Sequence, residues 1–442
     1  MNRRRFLHTT ATAASLTLLP RWSRAVNAGA PDRFRTAVIG CGWWGNNILR
    51  EAMASGSCRI VGLCDVDTRH LTATQANVRT GTGDEPPVFV DYRDLLAGTR
   101  PDIVIVATPD HWHALPTIAA IEAGAHVFVE KPIGHTILEG RAMVNAARKA
   151  QRRVQVGTHR RISPHNISAR DFIRNGGIGE LGTVRCFVHT GGGGREEPQT
   201  TQPVPRELDW DRWCGPAPLR PYVPGIHPRG FRNYLDFANG TLGDWGIHWL
   251  DQVLWITGEK HTSRVYSEGG RPIFGAPVLT PDAQTSDAPD HQVATYRFGG
   301  FTVQWEHRRF AGNGAEKGEA VGCYFYGTKG TLHLGWQSGW TFYPARQNEP
   351  SRHEAAQLND PDGQNIRELW ADFLDSIRTG RPPVCDVGEI HLSSNLALLG
   401  MIALKHGRSL EWDGERERFI GDEAANAYLK REYRDGYTYP AA

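Results

Sequence analysis

Short apolar runs alternate with helical patterns between Arg35 and residue 158. The runs are continuously apolar, which is typical of strands covered on both faces of a parallel sheet. The predicted strands are RTAVIG (35–40), RIVGLCD (59–65), DIVIVAT (102–108), HVFVE (126–130) and RVQVGT (153–158). The predicted helices cover 46–55, 114–124 and 137–151. This alternation predicts an α/β domain with a parallel sheet between two layers of helices.

Beyond about residue 160 the pattern changes to longer and partly alternating strands. They are predicted at 182–190, 291–298 and 301–310, with two more around a Gly-Thr-Lys-Gly turn within 323–335. Such strands favour a mostly antiparallel sheet. A helix is predicted over 366–380, because the apolar residues of this segment share one helical face and a glycine ends it.

A chain of 442 residues is too long for one average core, so two domains are expected. We place the first domain at 33–156 and a C-terminal α/β domain at 157–442. Residues 191–230 are rich in glycine and proline, which predicts a long surface loop close to a site.

The first 28 residues have the composition of a cleavable export signal. The sequence NRRRF precedes an apolar run over 9–19, and small residues follow near Ala25 and Ala28. The run is far shorter than the roughly 20 residues that span a bilayer. Paired arginines followed by Phe6 and Leu7 resemble a twin-arginine signal. The sequence thus predicts a signal peptide at 1–28 and a periplasmic protein exported in the folded state; the alternative is a basic extension without a targeting role.

The charge balance argues against a nucleic-acid partner. Lys and Arg number 50 against 48 Asp and Glu, and the five arginines within residues 1–28 leave 45 against 48 in the rest. A phosphate-binding face needs a basic excess. No segment beyond the leader is expected to be apolar enough for stable insertion in a membrane. The seven cysteines lack CxxC spacing and are expected to be small buried apolar residues.

A glycine-rich loop follows the first predicted strand. Its sequence GCGWWG places Gly40, Gly42, Trp43, Trp44 and Gly45 between that strand and a helix. Glycines at this point let the backbone approach a pyrophosphate, which rests on the helix N-terminus. The alternative is a tight strand-to-helix turn without a ligand. In this strand–helix context the loop predicts a dinucleotide site.

Asp65 ends the second predicted strand. A carboxylate at this position accepts hydrogen bonds from the adenosine ribose hydroxyls and repels a 2′-phosphate. The sequence therefore favours NAD over NADP as the cofactor.

The segment ATPDHWHALPTIAAIEAGAHVFVEKP, together with the glycine loop, resembles the Gfo/Idh/MocA family of dinucleotide-dependent oxidoreductases. The resemblance extends to VGTHRRISP, GTLGDWGIHWLD and YGTKGTLHL, and so covers nearly all of the chain after the leader. It implies an N-terminal Rossmann domain and a C-terminal α/β domain with a large open sheet. Family members often dimerise through that sheet, which implies a homo-oligomer, either a dimer or a tetramer.

The same resemblance implies that Thr108, Pro109 and His113 line the cofactor and that Glu130 and Lys131 lie near the nicotinamide. Pro132 restricts the backbone of Lys131 to an extended conformation. A cation at this position stabilises the alkoxide character that develops on a reacting hydroxyl. The alternative is a lysine at a strand end that is simply solvated.

The family's substrate-side motif has the D-x-x-x-H spacing of Asp244 and His248, which lie on one face of a predicted helix that ends at Gly258. We expect His248 to accept the hydroxyl proton and Asp244 to orient it or to bind a sugar hydroxyl. The alternatives are an N-cap aspartate and a core histidine. His159 and Arg161 follow the last Rossmann strand and are expected to bind substrate, with structural pairing as the alternative.

A metal centre is not expected, although His111 and His113 have a spacing that a metal could use. Three functions stay open. The first is an NAD-dependent oxidoreductase of sugars, polyols or glycosides, with a tightly bound cofactor that is recycled within each turnover. The second is a redox-neutral glycoside hydrolase or lyase that works through transient sugar oxidation, and the third is a non-catalytic dinucleotide or sugar sensor. The Asp/His pair favours the first.

Overall fold

The computed structural model describes residues 33–357 and 361–442. The predicted signal peptide lies outside the described residues. In the first domain the elements are β1 Phe34–Ile39, α1 Trp43–Ala54, β2 Cys58–Cys64, α2 Thr68–Thr82, β3 Val88–Phe89, α3 Tyr92–Thr99, β4 Ile103–Val106, α4 Ala114–Glu122, β5 His126–Val129, α5 Ile137–Ala150 and β6 Val154–Val156. Within the described residues these six strands form one parallel sheet in the order β3-β2-β1-β4-β5-β6. The parallel α/β fold predicted from the apolar runs is confirmed.

The chain then continues through a second set of helices and strands. They are α6 Pro164–Arg174, β7 Leu181–His189, β8 Gln199–Thr200, α7 Trp210–Cys214, α8 Ile247–Thr257, β9 Arg264–Gly270, β10 Ala283–Gln284, β11 His291–Arg297, β12 Thr302–Arg308, β13 Val321–Gly327, β14 Gly330–Gly335, β15 Trp340–Pro344, β16 Arg352–Glu354, α9 Pro361–Thr379, α10 Val387–His406, β17 Leu410–Asp413, β18 Arg418–Phe419 and α11 Glu423–Asn426.

Ten of the described strands form the second sheet, in the order β16-β15-β14-β13-β7-β12-β11-β9-β17-β18. Its pairs are antiparallel except for β7 with β12, which run parallel. The apolar residues on one face of the sheet pack against α8 and α10 in a continuous core. The large, mostly antiparallel sheet expected for this domain is confirmed.

Helix α10 is a core helix that joins the two sheets. It packs against α5 of the first domain as well as α8 and β9 of the second. By length and composition alone it could span a bilayer, but 78% of its most apolar window is buried inside the protein. The expectation that no segment beyond the leader is apolar enough to cross a membrane was therefore wrong, since the composition of α10 meets that criterion. Its burial against both domains accounts for its apolar character.

The loop predicted at 191–230 has a small core of its own. Trp210 and Trp213 of α7 stack with ring centroids 4.6 Å apart, and both pack against Phe237. The indole nitrogen of Trp112, just after β4, donates to the carbonyl of Trp213 at 2.9 Å. These contacts fix the loop across the carboxyl ends of the parallel strands, where ligands bind in open α/β sheets.

Buried histidines are expected to make the stability of the fold depend on pH. Burial lowers the pKa of several histidine side chains from the usual 6.5. The pKa falls to about 3 for His111 and His307 and to about 4 for His113, His126 and His165. In the unfolded chain each binds a proton near pH 6.5, so below that pH the unfolded state holds more protons. Each such histidine therefore lowers the free energy of unfolding by about 1.4 kcal/mol for every pH unit that the pH falls between 6.5 and its pKa in the folded protein.

Asp110 and Glu130 act in the opposite sense, because burial raises the pKa of each to about 7. Because the buried histidines outnumber these two carboxyl groups, their destabilising effect at low pH should prevail. We expect the melting temperature to fall steadily as the pH drops from 6.5 towards 4. Scanning calorimetry at half-unit pH steps measures this. A melting temperature that stays level over this interval would contradict it.

Candidate active site

The glycine loop between β1 and α1 is shaped for close backbone approach. A Cβ on Gly40, whose φ is +93°, would lie 2.6 Å from the backbone of Ala107. A Cβ on Gly45 would lie 2.0 Å from the carbonyl oxygen of Gly40. Gly42 has nothing within 4 Å of the Cβ position and lines the central cavity. Gly42 thus leaves room for a pyrophosphate, whereas Gly45 lets the helix pack on the strand and does not itself line the cavity.

The cavity above this loop has a volume of about 530 Å³, which lies within the usual range for ligand sites. It extends from the end of β2 to the end of β5 and on to the second domain. Of the predicted site residues, those that line it are Gly40, Gly42, Trp43, Trp44, Asp65, Thr108, Pro109, His113, Glu130, Lys131, His159, Asp244 and His248. The structure therefore brings together all the predicted residues except Gly45 and Arg161.

Asp65 lies at one end of the cavity and also holds the glycine loop. One carboxylate oxygen accepts from the backbone N–H of Cys41 at 2.8 Å, and the other from that of Asp67 at 2.9 Å. The Asp65 side chain is 10% exposed, and His70 lies 3.5 Å from it. This carboxylate at the end of β2 fits the ribose position of a bound dinucleotide.

His113 joins the two loops that follow β4 and β5. Its Nδ1 lies 2.5 Å from the carbonyl oxygen of Pro132 and its Nε2 lies 2.8 Å from that of Thr108. With its pKa lowered to about 4 by burial, the ring is neutral at pH 7 and donates to one of these carbonyls. The histidine thus fixes the spacing between the Thr108 and Lys131 loops.

Lys131 lies just beyond β5 and points at the second domain. Its ammonium donates to the Asp244 carboxylate at 2.5 Å and to the Asp244 backbone carbonyl at 3.0 Å. The lysine side chain is 12% exposed, so it is not merely solvated. A strand-end lysine held at two points has a fixed ammonium position.

Asp244 lies in a π-helical turn, Leu242–Gly246, that leads into α8. It does not act as an N-cap, since no side-chain cap hydrogen bond is present there. Its carboxylate also accepts from Arg232 at 3.2 Å. Burial favours the protonated form, but Lys131 and Arg232 together lower the pKa of Asp244 to about 2. The aspartate is therefore ionised and shared between two cations.

His248 lies one turn further along, in an aromatic environment. Its ring centroid is 5.2 Å from that of Trp336 and 5.4 Å from that of His159. Burial and the nearby Lys131 ammonium hold the pKa of His248 well below its usual range. Its Nδ1 has no hydrogen-bond partner among the described residues, so the expected orientation by Asp244 is not seen. His248 is a neutral imidazole at pH 7 and can accept a proton.

The structure does not bring Arg161 into the cavity, so the expectation that it binds substrate was wrong and the alternative of structural pairing is observed. Its guanidinium is buried in a forked ion pair with Asp251, with contacts of 2.7 to 3.1 Å. Ser393 donates to the same carboxylate at 2.8 Å. The preceding Arg160 instead reaches Trp336, donating to its carbonyl at 2.8 Å with the guanidinium 3.2 Å from the ring centroid. A short 3₁₀ turn at His159–Ile162 directs the two arginines to different places.

Arg232, Trp245 and Trp336 line the same cavity and were not identified from the sequence. Arg232 follows the Gly-Pro-rich loop, and Trp336 follows β14, more than 200 residues after Lys131 in the chain. Neither stands in a motif with a recognisable spacing. Trp245, next to Asp244 in the motif, could have been found from its position.

The metal interpretation of His111 and His113 does not fit their contacts, because both rings are directed at backbone carbonyls. Among the described residues, Asp67, His70 and His227 have ligand atoms within 4.8 Å of one another. Asp67 already accepts two bonds from the Arg69 side chain, at 2.6 and 2.9 Å. A carboxylate paired with a guanidinium in this way is an ion pair rather than a preformed metal ligand.

Comparison with known proteins identifies the class of enzyme. Residues 34–158 match the NAD-binding Rossmann fold of the Gfo/Idh/MocA oxidoreductase family, and residues 188–439 match the family's C-terminal alpha/beta domain. The chain belongs to the Gfo/Idh/MocA family. It is an NAD-binding oxidoreductase, and the resemblance inferred from its motifs is confirmed.

Two curated family members illustrate the similarity. The rhizopine catabolism protein MocA of Rhizobium meliloti is 26% identical over 353 residues, which cover 79% of this chain and 88% of that protein. D-glucoside 3-dehydrogenase of Escherichia coli is 26% identical over 361 residues, with the same coverage. The solved structure of an aldose-aldose oxidoreductase from Caulobacter crescentus shares the fold, with a TM-score of 0.63 and 20% identity over 86% of this chain and 99% of that one.

Proposed function

We propose that this Gfo/Idh/MocA protein oxidises a hydroxyl group of a sugar, polyol or glycoside. The observation that carries the proposal is the Asp244 carboxylate that accepts hydrogen bonds from both Lys131 and Arg232. This cluster lies next to the neutral His248, in the cavity that the glycine loop also lines. A pure sensor has no need of a fixed ammonium beside a proton acceptor.

Bound NAD supplies the hydride-accepting chemistry. Lys131 stabilises negative charge on the reacting oxygen, because its ammonium is held at two points and needs little reorganisation. His248 accepts the hydroxyl proton, since it is neutral at pH 7 and lines the same cavity. Asp244 positions Lys131 and stays ionised throughout.

The walls of the cavity and the relatives support this substrate class. Trp245 and Trp336, with ring centroids 5.2 Å apart, supply an apolar wall beside the charged Lys131 and Arg232. A carbohydrate ring presents both apolar C–H groups and hydroxyls, so it suits such a mixture. The curated relative D-glucoside 3-dehydrogenase is named for a glycoside substrate.

The cofactor is proposed to stay bound between turnovers. His227 lies 3.0 Å from the Asp67 carboxylate, and the Arg229 guanidinium lies 4.5 Å from the ring centroid of Trp43. These two contacts join the loop of the second domain to both the end of β2 and the glycine loop. Because His227, Arg229 and Trp43 all line the cavity, we expect these contacts to slow the release of a dinucleotide bound there. Each turnover then requires a second substrate that returns the reduced cofactor to its starting state.

The test uses protein purified without added cofactor. Mass spectrometry of the small molecules released on denaturation should detect NAD. A panel of sugars, polyols and glycosides is then screened for the absorbance band of the reduced nicotinamide. Bound NAD that no member of the panel reduces would overturn the proposal. Cleavage of a glycoside without net reduction would instead establish the redox-neutral hydrolase or lyase.

The preference for NAD is tested at Asp65. Asp65→Ala should weaken NAD binding by roughly 1.5–3 kcal/mol for each charged hydrogen bond lost. Because Asp65 also accepts from Cys41, Asp65→Asn serves as the variant that retains the side-chain shape. Titration calorimetry of the protein stripped of nucleotide measures the NAD affinity of both variants. Asp94→Ala, at an exposed position of α3, is the control. Equal affinity of the unaltered protein for NAD and NADP would contradict the assignment.

We also propose that the folded protein is exported to the periplasm. The support is the arginine pair before a short apolar run in residues 1–28. Replacing Arg3 and Arg4 with lysine should leave the protein in the cytoplasm, and fractionation with immunoblotting measures this. An unchanged periplasmic yield would refute the twin-arginine assignment.

A further inference from the structure

Residues 430–439, which we call the strap, cross the molecule in an irregular conformation. Arg431 and Tyr433 both donate to the buried carboxylate of Glu139 on α5, at 3.1 and 2.7 Å. The Tyr439 hydroxyl lies 2.6 Å from that of Thr136 at the start of the same helix. The first domain therefore holds both ends of the strap.

The middle of the strap is tied to α7 in the loop of the second domain. Arg434 donates to the Asp211 carboxylate at 2.6 Å and to the Gly215 carbonyl at 3.0 Å. Arg431 also donates to the carbonyls of Asp236 and His111, each at 3.1 Å. The strap thus connects α5, α7 and the segment after β4, and so spans the junction of the two domains.

Tyr437 is the strap residue that lines the cofactor cavity. Its ring packs edge-on against Trp112, with centroids 5.5 Å apart, and Trp112 packs edge-on against Tyr92 at 6.0 Å. These three rings form an aromatic wall.

Tyr92 follows β3, whereas Lys131 follows β5. In the strand order β3-β2-β1-β4-β5, four strand spacings separate these two strand ends. At about 4.8 Å per spacing, the two ends lie roughly 19 Å apart across the sheet. Asp65, which follows β2, lies on the β3 side. Trp112 follows β4, so the aromatic wall extends from the end of β4 to the end of β3. Its Tyr92 end, which Tyr437 lies close to, belongs to the adenosine half of the dinucleotide site.

We propose that Tyr437 is a cofactor-binding residue, which the strap holds against the adenosine half of NAD, and that this contact limits NAD release. The inference rests on NAD binding and on the retention proposed above. It predicts that the strap acts on exchange of the cofactor rather than on substrate oxidation, because none of its residues contacts Lys131 or His248 among the described interactions.

The experiment measures exchange of bound NAD for isotopically labelled NAD in the full-length protein, read by mass spectrometry of the retained nucleotide. Loss of an aromatic contact to a base is worth about tenfold to hundredfold in affinity, so Tyr437→Ala should speed release by that factor. Tyr437→Phe should retain slow release, since the ring and not the hydroxyl makes the contact. Tyr428→Ala removes a tyrosine that is 44% exposed and should exchange as the unaltered protein does.

Arg434→Ala provides a variant outside the cavity, and it should also speed release, because it removes the side chain whose hydrogen bonds to Asp211 and Gly215 hold the middle of the strap. This variant decides the matter if Tyr437→Ala fails to fold. Release at the unaltered rate in both variants would overturn the proposal. The exchange assay needs no substrate, so its outcome stays separate from that of the sugar screen.

Discussion

Lys131→Met is expected to slow substrate oxidation by about 10²–10³ while leaving the NAD content unchanged. The lysine supplies the ammonium that stabilises charge on the reacting oxygen, and methionine retains only the apolar stem. The fold should survive, because Asp244 keeps its hydrogen bond from Arg232 and is not left as an unpaired buried charge. Absorbance of reduced nicotinamide gives the rate, and mass spectrometry gives the nucleotide content.

Lys131→Arg is the control for charge alone. Arginine keeps a cation but cannot place it as an ammonium does, so we expect partial activity. A methionine variant with the unaltered rate would show that Lys131 has only a structural role. Loss of bound NAD in that variant would instead assign the lysine to cofactor binding.

His248→Ala is expected to lower the oxidation rate by about 10²–10⁴ and to remove the acidic limb of the pH–rate profile. Because burial and Lys131 hold the pKa of His248 well below its usual range, that limb should lie below pH 6.5 in the unaltered enzyme. Rate constants measured from pH 4.5 to 8 test this, with His353→Ala at an exposed strand position as the control.

A full-rate His248→Ala enzyme would transfer the proton-accepting role elsewhere. Asp244 is a poor replacement, since its pKa of about 2 and its two cationic partners keep it from holding a proton near neutral pH. Asp110 is the better candidate, because burial raises its pKa to about 7 and it lines the same cavity.

The parallel sheet was predictable because each of its central strands is a continuous apolar run flanked by turn residues. Helix α2 was missed because it buries only Leu71, Thr74 and Val78, which gives a weak apolar face. Helix α10 was missed for the opposite reason, since it is buried on nearly every side and has no polar face to mark its period. Apolar periodicity marks a helix that has one buried and one exposed face. It does not mark a helix with a weak apolar face, such as α2, or one that is buried on nearly every side, such as α10.

The candidate site was predictable where its residues follow one another along the chain. Thr108 to His113 and Lys131 stand in short segments whose order alone identifies them. Arg232 and Trp336 line the cavity because the fold brings distant segments of the chain together, and no local spacing in the sequence predicts this. His159 reaches the cavity whereas Arg161 does not, because a 3₁₀ turn directs these neighbouring side chains to different places, and the sequence gives no sign of this turn.

The turn that carries Trp336 is held by one carboxylate. Glu319 accepts from the backbone N–H groups of Trp336 at 2.6 Å, Gln337 at 3.3 Å and Ser338 at 2.8 Å. Gln337 and Ser338 are themselves exposed. These three N–H groups belong to the main chain, and the Ser338 hydroxyl also donates to Glu319. Substitution at Trp336 or Gln337 therefore leaves the main-chain anchor in place. The turn is therefore a suitable site for library mutagenesis to alter substrate range, provided that Glu319 is kept.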